Sequence, residues 1–140
     1  LFPKELMQKS IVKRSTISSS VIAINEGNGN FTIKRLPYRT QLSCICDVSC
    51  TDVNNDGNLD LVMAGNDFEY KPQFSRLDAG YGHVLLGDGN ANFEWQDYGK
   101  SGFFIRDEVK HLKTIKDSSG QQYLVAAINN DKPKIFAINE

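Results

Sequence analysis

The chain has 140 residues, 40% of them hydrophobic and 24% charged, which is the profile of an ordinary globular domain long enough to bury a core. A net charge of -1 and a pI near 6.1 give no electrostatic footprint for nucleic acid. No run approaches the roughly 18 apolar residues of a membrane span, and Leu1-Phe2-Pro3-Lys4 carries neither an initiator methionine nor the basic and apolar regions of a signal peptide, as expected of a mature segment or a fragment.

Residues 1–20 are the least patterned part. Leu6, Met7, Ile11 and Val12 suit either a short helix or a first strand. Val21-Ile22-Ala23-Ile24-Asn25 is a β-branched run, Glu26 to Asn30 a turn, and Phe31-Thr32-Ile33-Lys34-Arg35-Leu36 alternates apolar with polar, which together predict a hairpin. After Pro37, the segment from Leu42 to Val48 reads as the next strand. It contains Cys44 and Cys46, with Cys50 close behind, an odd number crowded into seven residues and without a second cluster to complete a zinc site. Buried thiols acting as small apolar side chains are the expectation, with a disulfide from Cys50 to either neighbour as the alternative.

The sharpest signal follows. Asp52-Val53-Asn54-Asn55-Asp56-Gly57-Asn58-Leu59-Asp60 places oxygen side chains at loop positions one, three, five and nine, glycine at six, and at seven a residue whose carbonyl can turn inward. A chain wraps a hard cation such as calcium in this way. An EF-hand opens similarly but needs a bidentate glutamate at position twelve, where this chain has Met63, and a helix on each side. Here Leu59 to Ala64 is a short apolar run stopped by Gly65-Asn66, so the loop joins two strands and Asp60 closes the site. The plain alternative is an Asx-rich turn without metal. Three converging aspartates without a counter-ion would repel one another, which favours the metal, and a flexible loop of carboxylates with a carbonyl suits Ca2+ better than Mg2+.

Asn66 to Gly82 is a long polar excursion. His83-Val84-Leu85-Leu86, Gly87 to Asn92 and Phe93-Glu94-Trp95 then predict a second hairpin whose Gly89, Asn90, Asn92 and Phe93 lie 62 residues after Gly27, Asn28, Asn30 and Phe31. Arg76 follows Arg14 at the same interval, which predicts a shared structural role such as bonding loop carbonyls. A shift of 63 sets Leu61 to Asn66 on Leu124 to Asn129, while Asp52, Asp56 and Asp60 fall on Ile115, Ser119 and Tyr123; the second copy loses the carboxylates. A last strand is expected after Pro133. A period near 62 with four antiparallel strands per unit predicts an all-β fold of β-propeller-type blades, with units of about 21–82 and 83–139. Two blades leave sheet faces and edges uncovered, so the chain is expected to be part of a larger propeller or to assemble with other copies.

The loop, the Ala64-Gly65-Asn66 that follows its partner strand, and the glycine-asparagine hairpins ending in Phe31 and Phe93 resemble the FG-GAP or VCBS-type repeat, the calcium-loop blade of integrin alpha-subunit propellers and of many extracellular proteins. The resemblance covers about residues 21–139. It implies that Asp52, Asn54, Asp56 and Asp60 give side-chain oxygens and Asn58 its carbonyl to the ion. It also implies an extracellular, periplasmic or cell-surface propeller that binds a protein or glycan partner and catalyses nothing. Asn54 stands where the pattern often has Asp, which weakens the site toward the 10⁻⁴–10⁻³ M affinities of extracellular modules.

Enzymatic readings find little footing. His83 and His111 belong to no HExxH, G-x-S-x-G or cysteine–histidine arrangement, and surface or hairpin-end positions are expected for both. Glu94 and Asp97 beside Trp95 read as solvated carboxylates rather than a glycosidase pair, and Gly87-Asp88-Gly89-Asn90 reads as a hairpin turn. The excursion carries the candidate partner surface, Tyr70, Phe74, Arg76 and Tyr81, whose plain alternative is packing under the loop. The leading expectation is therefore a calcium-binding, non-catalytic adhesion segment. The alternatives are an accessory portion of a larger extracellular carbohydrate-active or other enzyme, and a purely structural array.

Overall fold

The computed structural model describes residues 3–11, 13–71, 73 and 75–138. After a five-residue helix α1 (Lys4–Gln8) come nine strands: β1 (Val21–Gly27), β2 (Asn30–Arg35), β3 (Ile45–Thr51), β4 (Asp60–Gly65), β5 (His83–Gly87), β6 (Phe93–Trp95), β7 (Val109–Lys116), β8 (Gln122–Ile128) and β9 (Lys134–Ile138). A 3₁₀ turn, Tyr38–Gln41, precedes β3, and a four-residue helix α2 (Tyr98–Ser101) follows β6. The fold is all-β. The first 20 residues thus contain a helix at Lys4–Gln8, and Val12 lies outside the described residues.

The strands form three antiparallel meanders in chain order, β1-β2, β3-β4-β5-β6 and β7-β8-β9. The β1-β2 turn follows from Asn28-Gly29, both at positive φ (51° and 79°), the geometry of the tight turn that matches strand twist. The four-stranded sheet crosses the join between 82 and 83, so sheets and sequence units are out of phase. Registers nevertheless recur: Ala23↔Ile33, Ile24↔Thr32 and Asn25↔Phe31 correspond to Leu85↔Trp95, Leu86↔Glu94 and Gly87↔Phe93, each 62 residues on. Likewise β3-β4 and β7-β8 share a bulge, between Ile45 and Asp47 in one and Val109 and His111 in the other.

Alternation along β4 explains the stacking. Val62 and Ala64 face the third sheet and join Val84, Phe103, Val109, Leu112, Leu124 and Ala126 in one core, while Leu61 and Met63 face the first hairpin and pack with Leu36, Leu85 and Ile22 in another. Leu85 and Val109 are fully buried, and each such side chain contributes about 1.5–3 kcal/mol. The central and third sheets are also linked by polar contacts, with Ser49 Oγ 2.9 Å from Thr114 Oγ1 and the Leu112 N–H donating to Asp47 Oδ2 at 2.8 Å.

The cysteines differ from expectation. All three are free thiols, as the preferred reading required, but Cys46 and Cys50 are exposed and Cys44 is half-buried. Val48 and Cys50 alternate with Asp47 and Ser49, whose side chains meet the third sheet, and so turn to the other face of β3, while Cys46 stands at the bulge between Ile45 and Asp47. His83 departs in the opposite sense: it opens β5 and is only 2% exposed.

Candidate metal centre

The loop after β3 curls because Asn55 and Gly57 take positive φ (58° and 87°), the sharp bend that glycine at position six allows. Within the curl the side-chain oxygens converge on backbone N–H groups. Asp56 N–H donates to Asp52 Oδ1 (3.3 Å) and Asn54 Oδ1 (3.2 Å), Gly57 N–H to Asp52 Oδ2 (2.8 Å), and Asn58 N–H to Asp56 Oδ1 (2.8 Å). The Asn54 amide donates to Asp56 Oδ2 at 3.0 Å. The Asn58 N–H and that amide hold the Asp56 carboxyl below its ordinary range.

Asp60 sits beneath the curl, fully buried, and fastens it to the sheet. Its two oxygens accept from Val53 N–H and Gly87 N–H, both at 2.8 Å. The sheet is tight here: a Cβ on Gly87 would lie 2.2 Å from the Leu59 carbonyl oxygen. Asn58 leans over the neighbouring hairpin, its Oδ1 close against Gly89. That hairpin adds Asp88, whose carboxylate accepts from Asn90 N–H, Asn92 N–H and the Asn92 amide, and an open hollow of about 540 Å³ lies between Asp56, Asn58, Asp88 and Glu94.

Of the predicted side-chain ligands, Asp52, Asn54 and Asp56 come together and Asp60 lies beneath them; Asn58, expected to give only its backbone carbonyl, turns its side chain to the next hairpin. Among the described residues no three His, Cys, Asp or Glu side chains lie close enough to form a metal site as they stand. No ion pair to Asp52, Asp56 or Asp60 occurs among those residues either, so their charge is answered only by N–H groups. The donor chemistry fits a hard cation: an ionised carboxylate has about four acceptor sites, and each of these uses only two or three. The equivalent turn after β7 is different. There Asp117 alone accepts from Ser119 N–H, Ser119 Oγ and Gln121 N–H, closing a compact turn, and takes the Tyr123 hydroxyl at 3.3 Å.

The candidate partner residues do not share one place. Phe74 lies outside the described residues, Tyr70 is 41% exposed, and Arg76 lies 5.1 Å over the Phe68 ring and, among the described residues, donates to no loop carbonyl. Tyr81 joins a group not foreseen in the sequence: it stacks on Phe104 at 5.4 Å and meets Tyr98 edge-on, which in turn meets Trp95. The available signal was four aromatics in ten residues, Trp95, Tyr98, Phe103 and Phe104. His111 is exposed, with Nδ1 3.5 Å from Asp47 Oδ2. Glu94 is solvated as expected, while Asp97 caps α2 by accepting from Gly99 N–H.

Fold and site define an all-β chain of stacked antiparallel sheets with an aspartate-rich curl on one strand connection. No family model matches the chain, and neither the curated proteins nor the solved structures contain a match to it. Among the described residues no helix is long and apolar enough to cross a membrane.

Proposed function

We propose that the chain is a calcium-braced, non-catalytic segment of a β-propeller from a secreted or surface-exposed protein, and that it serves to bind a protein or glycan partner. The observation that carries the metal is the curl: three side chains, two of them carboxylates without a cationic partner, gathered by a glycine-bent loop over a buried fourth, Asp60. Small rotations of Asp52 and Asp56 within the curl would present their spare lone pairs to one ion. Calcium would neutralise the cluster and stiffen the β3-β4 connection, with Asn58 contributing its carbonyl.

Support for blades comes from the three sheets following one another face to face in chain order, and from pair registers that recur at a spacing of 62. In this reading β3 to β6 are one complete blade, β1-β2 the outer half of the preceding blade, and β7 to β9 most of the next. The FG-GAP or VCBS resemblance of the loop leads to the same architecture. Titrating calcium calorimetrically into chelator-treated protein should give binding in the 10⁻⁴–10⁻³ M range that an Asp52→Asn/Asp56→Asn variant loses; a flat wild-type titration at millimolar calcium would sink the metal.

A further inference from the structure

At the end of the central sheet opposite the curl, rings and guanidinium groups form a continuous cluster in which Tyr38, Phe104 and Arg106 are exposed and Arg39, Tyr81, Trp95 and Tyr98 half-buried. Arg39 lies 4.4 Å over Trp95 and 5.6 Å over Tyr38, and Arg106 lies 5.3 Å over Tyr81. Tyr98 meets Trp95, Tyr81 and Phe104 edge-on, linking the two arginines through a chain of rings. Tyr38 is 69% exposed and Phe104 52%, so ring faces remain open to solvent that a core would have covered. Among the described residues neither guanidinium donates a hydrogen bond or joins an ion pair.

We propose that this cluster binds an acidic oligosaccharide, a chain of sugar rings bearing carboxylate or sulfate groups. The proposal rests on the binding role argued above and supplies its site and ligand class. Aromatic faces carry negative potential and attract the positively polarised C–H face of a sugar. Each guanidinium lies over a ring and keeps its N–H groups free of other partners among the described residues, and such groups take a carboxylate or sulfate, bidentately where the geometry allows. Strand addition by a peptide would need a sheet edge with aligned backbone donors and acceptors, and of the cluster's residues only Trp95 sits on a strand; titration with poly-glutamate separates an acidic peptide from an acidic sugar. The chain's overall charge of -1 attracts no polyanion, so binding depends on these two local cations.

The test is calorimetric titration at about 0.15 M salt, using heparin and hyaluronan oligosaccharides, neutral dextran, and poly-glutamate as the acidic peptide. We expect binding of at least one acidic sugar in preference to dextran and poly-glutamate. Phe104→Ala and Arg39→Gln/Arg106→Gln should each weaken it about tenfold or more, with unchanged melting temperature in Phe104→Ala showing that the fold is intact. Lys113→Gln, on the outer face of the third sheet, should leave it unchanged. No sugar binding, equal binding of dextran, tighter binding of poly-glutamate, or indifference to both cluster variants would overturn the proposal. Because the curl lies at the other end of the sheet, a flat calcium titration with sugar binding intact would strike the metal alone, and calcium binding without sugar binding would strike this inference alone.

Discussion

Asn66 ties three segments of chain together through one buried side chain. Its amide donates to the carbonyls of Gly80 (2.8 Å) and Arg106 (3.1 Å), while its Oδ1 accepts from Gly80 N–H (3.0 Å) and Ser43 Oγ (2.8 Å). Its φ of 79° lies where asparagine is tolerated better than alanine. Asn66→Ala strands buried backbone groups that cost about 1–3 kcal/mol each, so urea denaturation should register a loss of about 3 kcal/mol or more, and a loss below about 1 kcal/mol would refute this role. His83 makes a second residue-scale case. Its Nδ1 accepts from Trp95 Nε1–H at 3.3 Å, and burial, with the Arg39 charge nearby, holds its pKa down at about 4. The unfolded imidazole titrates near 6.5, so unfolding takes up a proton between those values. Stability is therefore complete above pH 6.5 and falls as the pH drops toward 4, by an amount of the order of 3 kcal/mol. His83→Gln should flatten that slope in pH-dependent melts, and an unchanged slope would exclude the imidazole as its source.

At the scale of elements, strands with their own local signal were legible and those defined by packing were not. The β-branched run of β1, the Asn28-Gly29 turn, the apolar run of β4 and the hairpin ending at Trp95 all declare themselves in sequence. Strand β7 does not, because Val-Lys-His-Leu-Lys-Thr-Ile-Lys carries charge on its solvent face and a bulge breaks its alternation near Lys110. The exposure of Cys46 and Cys50 was hidden for related reasons: alternation assigns Cys50 a face without saying whether another sheet covers it, and Cys46 stands at a bulge that the sequence does not announce. The curl's composition was legible; that the Asn58 side chain rests against Gly89 required the neighbouring hairpin. The aromatic cluster draws on segments between residues 38 and 106, which no local window brings together. The difference between the two strand connections sets an expectation at this scale: Asp52→Asn should abolish any calcium-induced stabilisation, whereas Asp117→Asn should leave it intact, since Asp117 only closes its own turn.

For the whole molecule the uncovered surfaces matter most. Register places Ile115, Val125 and Ile135 together on the outer face of the third sheet, where Ile115 is 46% and Ile135 63% exposed, and Val48 is 41% exposed on the central sheet. Faces of this kind are partner surfaces in stacked-sheet proteins. Sedimentation of the isolated chain should show concentration-dependent association that Ile135→Lys diminishes; a monomer at all concentrations, unaltered by the substitution, would contradict the reading of these faces as blade contacts. The calcium brace is tested most directly by the melting temperature of the chelator-treated chain with and without calcium. At a calcium concentration ten times the dissociation constant, linkage gives about 1.4 kcal/mol of stabilisation, an upward shift of several degrees that magnesium at the same concentration should not match. Identical melting temperatures with calcium and with chelator would contradict it.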